Sequence, residues 1–186
     1  MAEMAAGSPP VQAWIARARE GDADAFGLLY DLYQPDILRY LIHRVRDRDL
    51  ADDLTQQVFL KAWQAISRYE QRGVPFNAWL YRMAHNQIVD HFRTQRVTTD
   101  LEGIDIPQDD EAEDRVMRRE LREHLARAMD RLSEDHRQVL ALRFLMDKSA
   151  REIGEMMGRK KVTVRGLQLR ALRALRQQID AIGTLT

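Results

Sequence analysis

Hydrophobic residues recur along most of the chain at the three-to-four-residue spacing of one face of an α-helix. The clearest case runs from Leu50 to Ser67, where apolar residues share one face and Asp53, Gln56, Gln57 and Gln64 share the other. No clear two-residue alternation indicates a β-strand. The pattern therefore predicts an all-α protein.

Several other segments show the same helical period. Pro35 lacks a backbone N–H and is expected to open a new helix rather than lie inside one. Gly73 and Pro75 punctuate a predicted loop from Arg68 to Pro75. The predicted helices are Val11 to Glu20, Ala23 to Tyr33, one opened by Pro35, Leu50 to Ser67, Phe76 to Arg96, and Leu121 to Leu132.

An acidic stretch divides the chain. Between Asp100 and Asp114 there are eight acidic residues and no basic one. Gly103 and Pro107 lie within it, and its few apolar residues cannot offset the entropy lost on ordering. We interpret residues 98–115 as a flexible acidic linker between two small helical domains, at 11–97 and 116–182, that follow a disordered N-terminus at 1–10.

The C-terminal domain has the pattern of a helix-turn-helix. Ser133 is positioned to cap one helix. Ser149, with Glu152 three residues later, matches the capping box of a second, and Gly158 is its expected stop. The segment that follows, Arg159 to Arg176, contains seven basic residues and no acidic one, although the formal net charge of the chain is zero.

A cationic second helix suits the major groove of DNA, where arginine can grip guanine and glutamine can grip adenine. Lysines and outer arginines more often hold phosphates, which gives affinity without sequence information. The alternative is a solvated basic helix. Candidates for base or phosphate contact are Lys160, Lys161, Thr163, Arg165, Gln168 and Arg170.

Two more clusters have both a binding and a structural interpretation. Aromatic residues beside cations suit single-stranded nucleic acid, but Phe76 and Trp79 are also typical core residues. The face of the Leu50 to Ser67 helix that is rich in Asp and Gln is either a solvated surface or a protein-docking surface. The first cluster comprises Phe76, Trp79, Tyr81, Arg82, Asn86 and Arg93.

The composition excludes several classes of function. There is no cysteine, and the five histidines have no zinc-binding spacing. The sequence has no phosphate loop, no nucleophile elbow and no convincing pair of carboxylates. We therefore expect that the protein is not an enzyme and has no metal site and no cofactor. No apolar run approaches the ~18 to 20 residues that cross a bilayer. Met1 to Pro10 does not resemble a signal peptide. We therefore expect a soluble cytoplasmic protein without membrane insertion.

Three motifs in order carry a resemblance to a known family. They are LADDLTQQVFLKAW at 50–63, PFNAWLYRMAHN at 75–86 with VDHFR at 89–93, and LSEDHRQVLALR at 132–143 followed by the helix-turn-helix. These resemble the second and fourth domains of bacterial sigma-70 family sigma factors. With two domains and a short linker, the chain is similar to the extracytoplasmic-function (ECF) class, over roughly Ala16 to Ile179.

The resemblance implies a dissociable RNA polymerase subunit that directs promoter recognition, melting and initiation. Its implied partners are core RNA polymerase (the clamp of the largest subunit and the flap of the second-largest), duplex and single-stranded promoter DNA, and an anti-sigma protein. In a bacterial cell it would associate with the nucleoid when bound to polymerase. The acidic linker would thread toward the active-site and RNA-exit channel.

The resemblance also implies three sets of contact residues. Those toward polymerase are Asp49, Asp52, Asp53, Gln56, Gln57 and Lys61. Those toward the minus-ten element are Arg68, Gln71, Asn77, Trp79, Arg82, Asn86, Arg93 and Arg96. Those toward the minus-thirty-five element are Arg151, Arg159, Lys160, Lys161, Thr163, Arg165, Gln168, Arg170 and Arg173.

Two positions depart from the family pattern. Gln57 stands where glutamate is usual, which removes a charge from the expected polymerase contact. Leu169 stands where a polar or basic residue is common, which alters the expected base preference. The rival interpretation is an autonomous helix-turn-helix regulator, which would bind its operator without polymerase, usually as a dimer on a palindrome.

Overall fold

The computed structural model describes residues 10–70, 73–95 and 123–183 of the 186-residue chain, and every regular element in those ranges is helical. The linker expected at 98–115, Gln71 and Arg96 lie outside them. The elements are α1 (Val11–Arg19), α2 (Ala23–Val45), α3 (Arg48–Ala65) with a 3₁₀ turn (Ile66–Arg68), α4 (Phe76–Gln95), α5 (123–130), α6 (Glu134–Leu140) with a π-helical turn (Ala141–Leu145), α7 (Ala150–Met157) and α8 (Lys161–Gly183).

Helices α1 to α4 form an N-terminal bundle, and its apolar core is continuous with the buried residues of α6 to α8. The amphipathic pattern of α3 predicted its buried face, which contributes Leu54, Val58 and Phe59. The Asp47 side chain caps this helix by accepting from the Leu50 N–H at 3.0 Å. Both its face and its starting point are therefore set by local sequence.

The predicted break at Pro35 is wrong, because α2 runs without interruption through this residue. Proline inside a helix removes one hydrogen bond and costs about 3 kcal/mol. Here Leu29 before the proline and Ile37, Tyr40 and Leu41 after it are all buried in the same bundle core. Burial of side chains from both halves offsets the local penalty, and the helix continues.

Helices α6 to α8 form the C-terminal domain, and its predicted caps are confirmed. Ser133 accepts from the His136 N–H, while Ser149 and Glu152 form a capping box at the start of α7. Gly158 ends α7 in the left-handed region, with φ of +65°. The π-helical turn after α6 was not predicted from the sequence.

Gly154 is, after Gly158, a second glycine that the turn between α7 and α8 requires. A Cβ added there would lie 2.6 Å from the carbonyl oxygen of Arg159, and the N–H of Arg159 donates to the carbonyl oxygen of Gly154 at 2.8 Å. The chain therefore folds directly back over the middle of α7. The turn from α7 into α8 depends on this close approach.

Candidate functional site

Helix α8 divides cleanly into a buried and an outward face. Val164, Leu167 and Ala171 are buried, together with Ile153 and Met156 of α7. This packing fixes the rotation of α8 relative to the rest of the domain. Side chains exposed on the other side are Lys161, Val162, Thr163, Arg165, Leu169, Arg170, Leu172 and Arg173.

The cations on this outward face are free to meet a ligand. Within the described ranges, Arg165, Arg170 and Arg173 make no ion pair. Two other candidates are engaged inside the domain: Arg159 pairs with Asp135 at 2.5 Å, and Arg151 lies 3.5 Å from Glu155. The arginines of the first turns of α8 therefore concentrate positive charge on one side of the domain.

Gln168 occupies a different position from the other candidates on α8. Its side chain is half-buried, and its Nε2 atom is shielded from solvent without a hydrogen-bond partner. Base contact by Gln168 would require this amide to turn outward. Arg165 is already exposed.

Helix α4 places Trp79, Arg82, Asn86 and Arg93 of the second set along one side, with Arg82 half-buried and hydrogen-bonded to the backbone of α7. Asn86 and Arg93 are exposed, and the Arg93 guanidinium lies 3.2 Å from the Asp90 carboxylate. Trp79 is half-buried, with its ring centroid 4.9 Å from that of Tyr69 and 5.5 Å from that of Phe76. Phe76 itself belongs to the core.

A cleft of about 460 Å³ opens beside the loop that precedes α4. Aromatic rings from three parts of the bundle meet at its wall: Tyr33, Tyr69 and Phe76. Asn77, a sequence candidate for DNA contact, also lines it, whereas Arg68 lies on the exposed 3₁₀ turn at the end of α3. Rings with a nearby amide suit a flat, hydrogen-bonding ligand such as a base.

The polar face of α3 carries the third set. Asp49, Asp53 and Gln56 are exposed, and Asp52 lies 3.8 Å from Arg48. Leu60 is 57% exposed within the same face. This apolar side chain was missed by the sequence analysis, although an apolar residue amid polar ones at helical spacing was the available signal.

Gln57 and Lys61 are tied to α4 through one buried amide. The Lys61 ammonium donates to Oε1 of Gln87 at 3.0 Å, and Nε2 of Gln87 donates to Oε1 of Gln57 at 3.4 Å. Gln87 is buried, so these bonds satisfy a group that would be costly to leave unpaired. Gln57 therefore links the two helices as well as facing solvent.

Comparison with known families decides the identity of this architecture. Residues 29–98 match the model of Sigma-70 region 2, and residues 128–177 match that of Sigma-70 region 4. Together the two models cover more than half of the chain. The chain belongs to the sigma-70 family of RNA polymerase sigma factors, in its ECF class.

Individual relatives agree with this assignment. The RNA polymerase sigma factor CarQ of Myxococcus xanthus is 32% identical, over 92% of this chain and 97% of the relative. The ECF RNA polymerase sigma factor BldN of Streptomyces coelicolor is 37% identical over 87% of this chain, which spans 62% of that relative's length. The solved structure of CnrH in complex with the cytosolic domain of CnrY has the same fold, with a TM-score of 0.63, 23% identity and coverage of 91% and 97% of the two chains.

The two domains of this sigma factor touch through ionic contacts that the sequence did not reveal. Arg44 at the end of α2 pairs with Glu134 at the start of α6, and only 4% of the Arg44 side chain is exposed. Arg46 donates to both carboxylate oxygens of Asp130, at 2.8 and 3.0 Å. One buried and one half-exposed arginine therefore pair across the interface, beside apolar side chains of both domains that share one buried cluster.

The pKa values of His85 and Glu134 at this interface are shifted from their ordinary values. Burial lowers the pKa of His85 and nearby Arg44 adds to the effect, which outweighs the opposing influence of Glu134, 3.5 Å away. Burial would raise the pKa of Glu134, but Arg44 and Arg137 overcome this and lower it. The docked domains thus favour neutral His85 beside ionised Glu134.

In the described part of this sigma factor, no cluster of three or more His, Cys, Asp or Glu side chains could hold a metal ion. Across the same ranges, no helix has the length and apolar character needed to span a bilayer.

Proposed function

We propose that this chain binds core RNA polymerase as an alternative sigma factor and directs it to a promoter with two different DNA-binding surfaces. The observation that carries the proposal is the pairing of the cationic α8 face with the aromatic and polar surface of α4, on separate family domains. No step of this role requires covalent chemistry, so we propose a specificity subunit and not an enzyme.

The C-terminal domain is proposed to read the minus-thirty-five element as duplex. The exposed first turns of α8 would enter the major groove, where Arg165 is placed to contact base edges. Flanking Lys160, Lys161, Arg170 and Arg173 would hold phosphates and set the register. Arg159 and Arg151 are paired with acidic groups in the isolated chain and would have to exchange those partners for phosphate.

The N-terminal domain is proposed to capture an opened strand at the minus-ten element. The cleft beside the half-buried ring of Tyr33, bounded by the buried rings of Tyr69 and Phe76, offers apolar surface against which an unstacked base can lie. Extrusion of a base costs a few kcal/mol, and stacking with a hydrogen bond from Asn77 would offset this. Asn86 and Arg93 on α4 would guide the backbone.

The exposed α3 face is proposed to dock on the polymerase clamp. Asp49, Asp53 and Gln56 supply charge and hydrogen bonds, and the exposed Leu60 supplies apolar area at the same surface. An interface of this type gains most from a buried apolar centre within a polar rim. The flap of the second-largest subunit is the proposed contact for the C-terminal domain, and class membership also supports an anti-sigma protein as a partner.

We divide these roles between domains at 11–97 and 116–182, with the acidic linker at 98–115 running between their two contact sites on polymerase. Each domain alone would bind weakly. Attachment to polymerase raises the effective concentration of the second contact once the first has formed. We infer from this role a cytoplasmic location, at the nucleoid when the protein is bound to polymerase.

The experiment that tests this function compares promoter DNA with the protein alone, with core polymerase alone, and with both. Footprinting should show protection, and permanganate should show unpaired thymines at the minus-ten element, only when both are present. A footprint by the protein alone on a palindromic site, without opening, would instead establish the autonomous regulator.

A further inference from the structure

The most outward line of α8 contains an apolar notch among cations. Val162, Gly166 and Leu169 recur at helical spacing and lie opposite the buried residues Val164 and Ala171. Val162 is 79% exposed, more than any other large apolar side chain in the described ranges. A single exposed valine would need no explanation, but Val162 lies in line with Gly166 and the exposed Leu169, and the three together form an apolar strip.

Gly166 has no reason to be glycine in the isolated protein. It lies in the middle of a long helix, where glycine is a poor helix former compared with alanine. An added Cβ would meet only Nη1 of Arg170, at an ordinary contact distance of 3.9 Å. Gly154 differs, since there a Cβ would strike the backbone of Arg159. The missing side chain at position 166 therefore leaves room for the surface of another molecule that approaches α8 from outside.

The surrounding charge favours nucleic acid as that surface. Arg165 and Arg170 flank Gly166 on either side, and Arg173 lies about two turns beyond Gly166. None of the three forms an ion pair with a described residue. A purely apolar protein partner would have to bury these cations without partners, which is costly. Duplex DNA supplies phosphates for the arginines and, in its major groove, one apolar group: the C5-methyl of thymine.

We propose that Val162 contacts the C5-methyl group of a thymine in the minus-thirty-five element, and that Gly166 lets α8 approach the base edge closely enough for this contact. The inference rests on the proposed function and adds a specificity determinant to it. Val162 is the second residue of α8, and the N-terminal residues of a recognition helix are those that reach base edges. Leu169, about 10 Å further along the helix axis, extends the same apolar line.

The experiment replaces single thymines of the minus-thirty-five element with deoxyuridine, which removes only the methyl group. Promoter affinity of reconstituted holoenzyme is measured for the wild type and Val162→Ala. At one thymine, deoxyuridine should weaken wild-type binding about fourfold. Val162→Ala should bind the unmodified promoter about fourfold more weakly and respond no further to deoxyuridine there. Ile179→Ala, which trims an exposed apolar residue near the far end of α8, should behave as wild type.

Gly166→Ala gives an independent test in which misfolding cannot imitate the result. Alanine favours helix, so the thermal midpoint should stay the same or rise, while promoter affinity falls about tenfold because the new methyl group holds the helix away from the base edge. Normal promoter affinity of Gly166→Ala would overturn the proposal. So would an equal response of wild type and Val162→Ala to deoxyuridine at every thymine.

Two other outcomes separate this inference from the function it rests on. If Val162→Ala weakened assembly with core polymerase but not methyl recognition, the notch would be a protein contact and the inference would fail alone. If wild-type holoenzyme showed no preference for any minus-thirty-five sequence, the proposed function would fail as well.

Discussion

Arg82 of α4 is bound to the backbone of Glu155 at the end of α7. Its Nη2 donates to the Glu155 carbonyl oxygen at 2.6 Å and its Nε donates to the same oxygen at 3.0 Å. Basic side chains satisfy the free carbonyl groups at a helix C-terminus in this way. Arg82 belongs to the proposed minus-ten surface and Glu155 to the helix-turn-helix. The docked arrangement therefore engages an arginine of the proposed DNA-binding surface with the other domain.

Loss of the Glu134 charge should weaken the docking of the two domains on each other. In Glu134→Gln the buried Arg44 guanidinium loses its ionised partner, and we expect docking to weaken by about 1 to 3 kcal/mol. Since the chain has no cysteine, dyes can be attached to Gln64→Cys and Gln177→Cys, on exposed positions of the two domains. Energy transfer should fall in the variant.

The matched control for this variant is Asp90→Asn, which removes an exposed pair with Arg93 within one domain. Exposed pairs contribute at most about 1 kcal/mol, and this one does not cross the interface. Equal energy transfer in Glu134→Gln and wild type would show that the ionic contacts do not hold the domains together.

Docking should weaken in mild acid through His85. Its pKa is lowered in the docked state, so as pH falls below the ordinary histidine value of about 6.5 the separated domains take up a proton that the docked domains do not. The facing charges are Arg44 from α2 and Glu134 and Asp135 from α6. Energy transfer should therefore decline from about pH 7 to about pH 5.

Glu134 contributes in a separate and lower window. Its pKa is also lowered, so its stabilising charge is present above the ordinary carboxylate value and disappears only as pH falls through the lowered one. His85→Gln should flatten the response between about pH 7 and pH 5 while leaving the more acidic loss in place. An unchanged profile in that variant would assign the mild-acid response to another group.

Gly154→Ala should destabilise the C-terminal domain. The added Cβ would meet the Arg159 carbonyl oxygen at 2.6 Å, so the turn between α7 and α8 must open, at a cost of about 1 to 3 kcal/mol. Gly27→Ala in α2 meets nothing within 4 Å and should instead stabilise by about 0.4 to 1 kcal/mol. Denaturant unfolding of both variants measures the difference, and similar midpoints would contradict the close approach.

Arg165→Ala should relax sequence preference at one upstream position and cost about 1 to 3 kcal/mol of promoter binding. Lys160→Ala should weaken binding to all sequences alike, because a phosphate contact carries no base information. Holoenzyme affinity for a panel of single-base promoter variants distinguishes the two. A uniform loss in Arg165→Ala would move that residue to the phosphate-binding set.

Local rules predicted the parts of the fold that depend on neighbours in sequence. The capping box of Ser149 and Glu152, the stop at Gly158 and the buried face of α3 all follow from spacings of a few residues. The continuation of α2 through Pro35 could not be predicted, because the packing that offsets the proline penalty involves helices elsewhere in the chain.

The candidate surfaces likewise include features that local sequence predicts and features that it does not. Exposure of Asp53 and Arg165 follows from helical periodicity. The bond between Arg82 and Glu155 joins residues 73 positions apart, and no local pattern indicates it. The half-buried amide of Gln168 and the close approach at Gly154 depend on how α7 and α8 pack, which periodicity alone does not determine.

The central claim is tested most directly by run-off transcription from a promoter library with purified core polymerase, in the presence and absence of the protein. We predict a distinct set of start sites that appears only with the protein, is lost with Asp53→Lys on the exposed α3 face, and is retained with the exposed control Asp24→Lys on α2. Identical start sites with and without the protein would contradict the account.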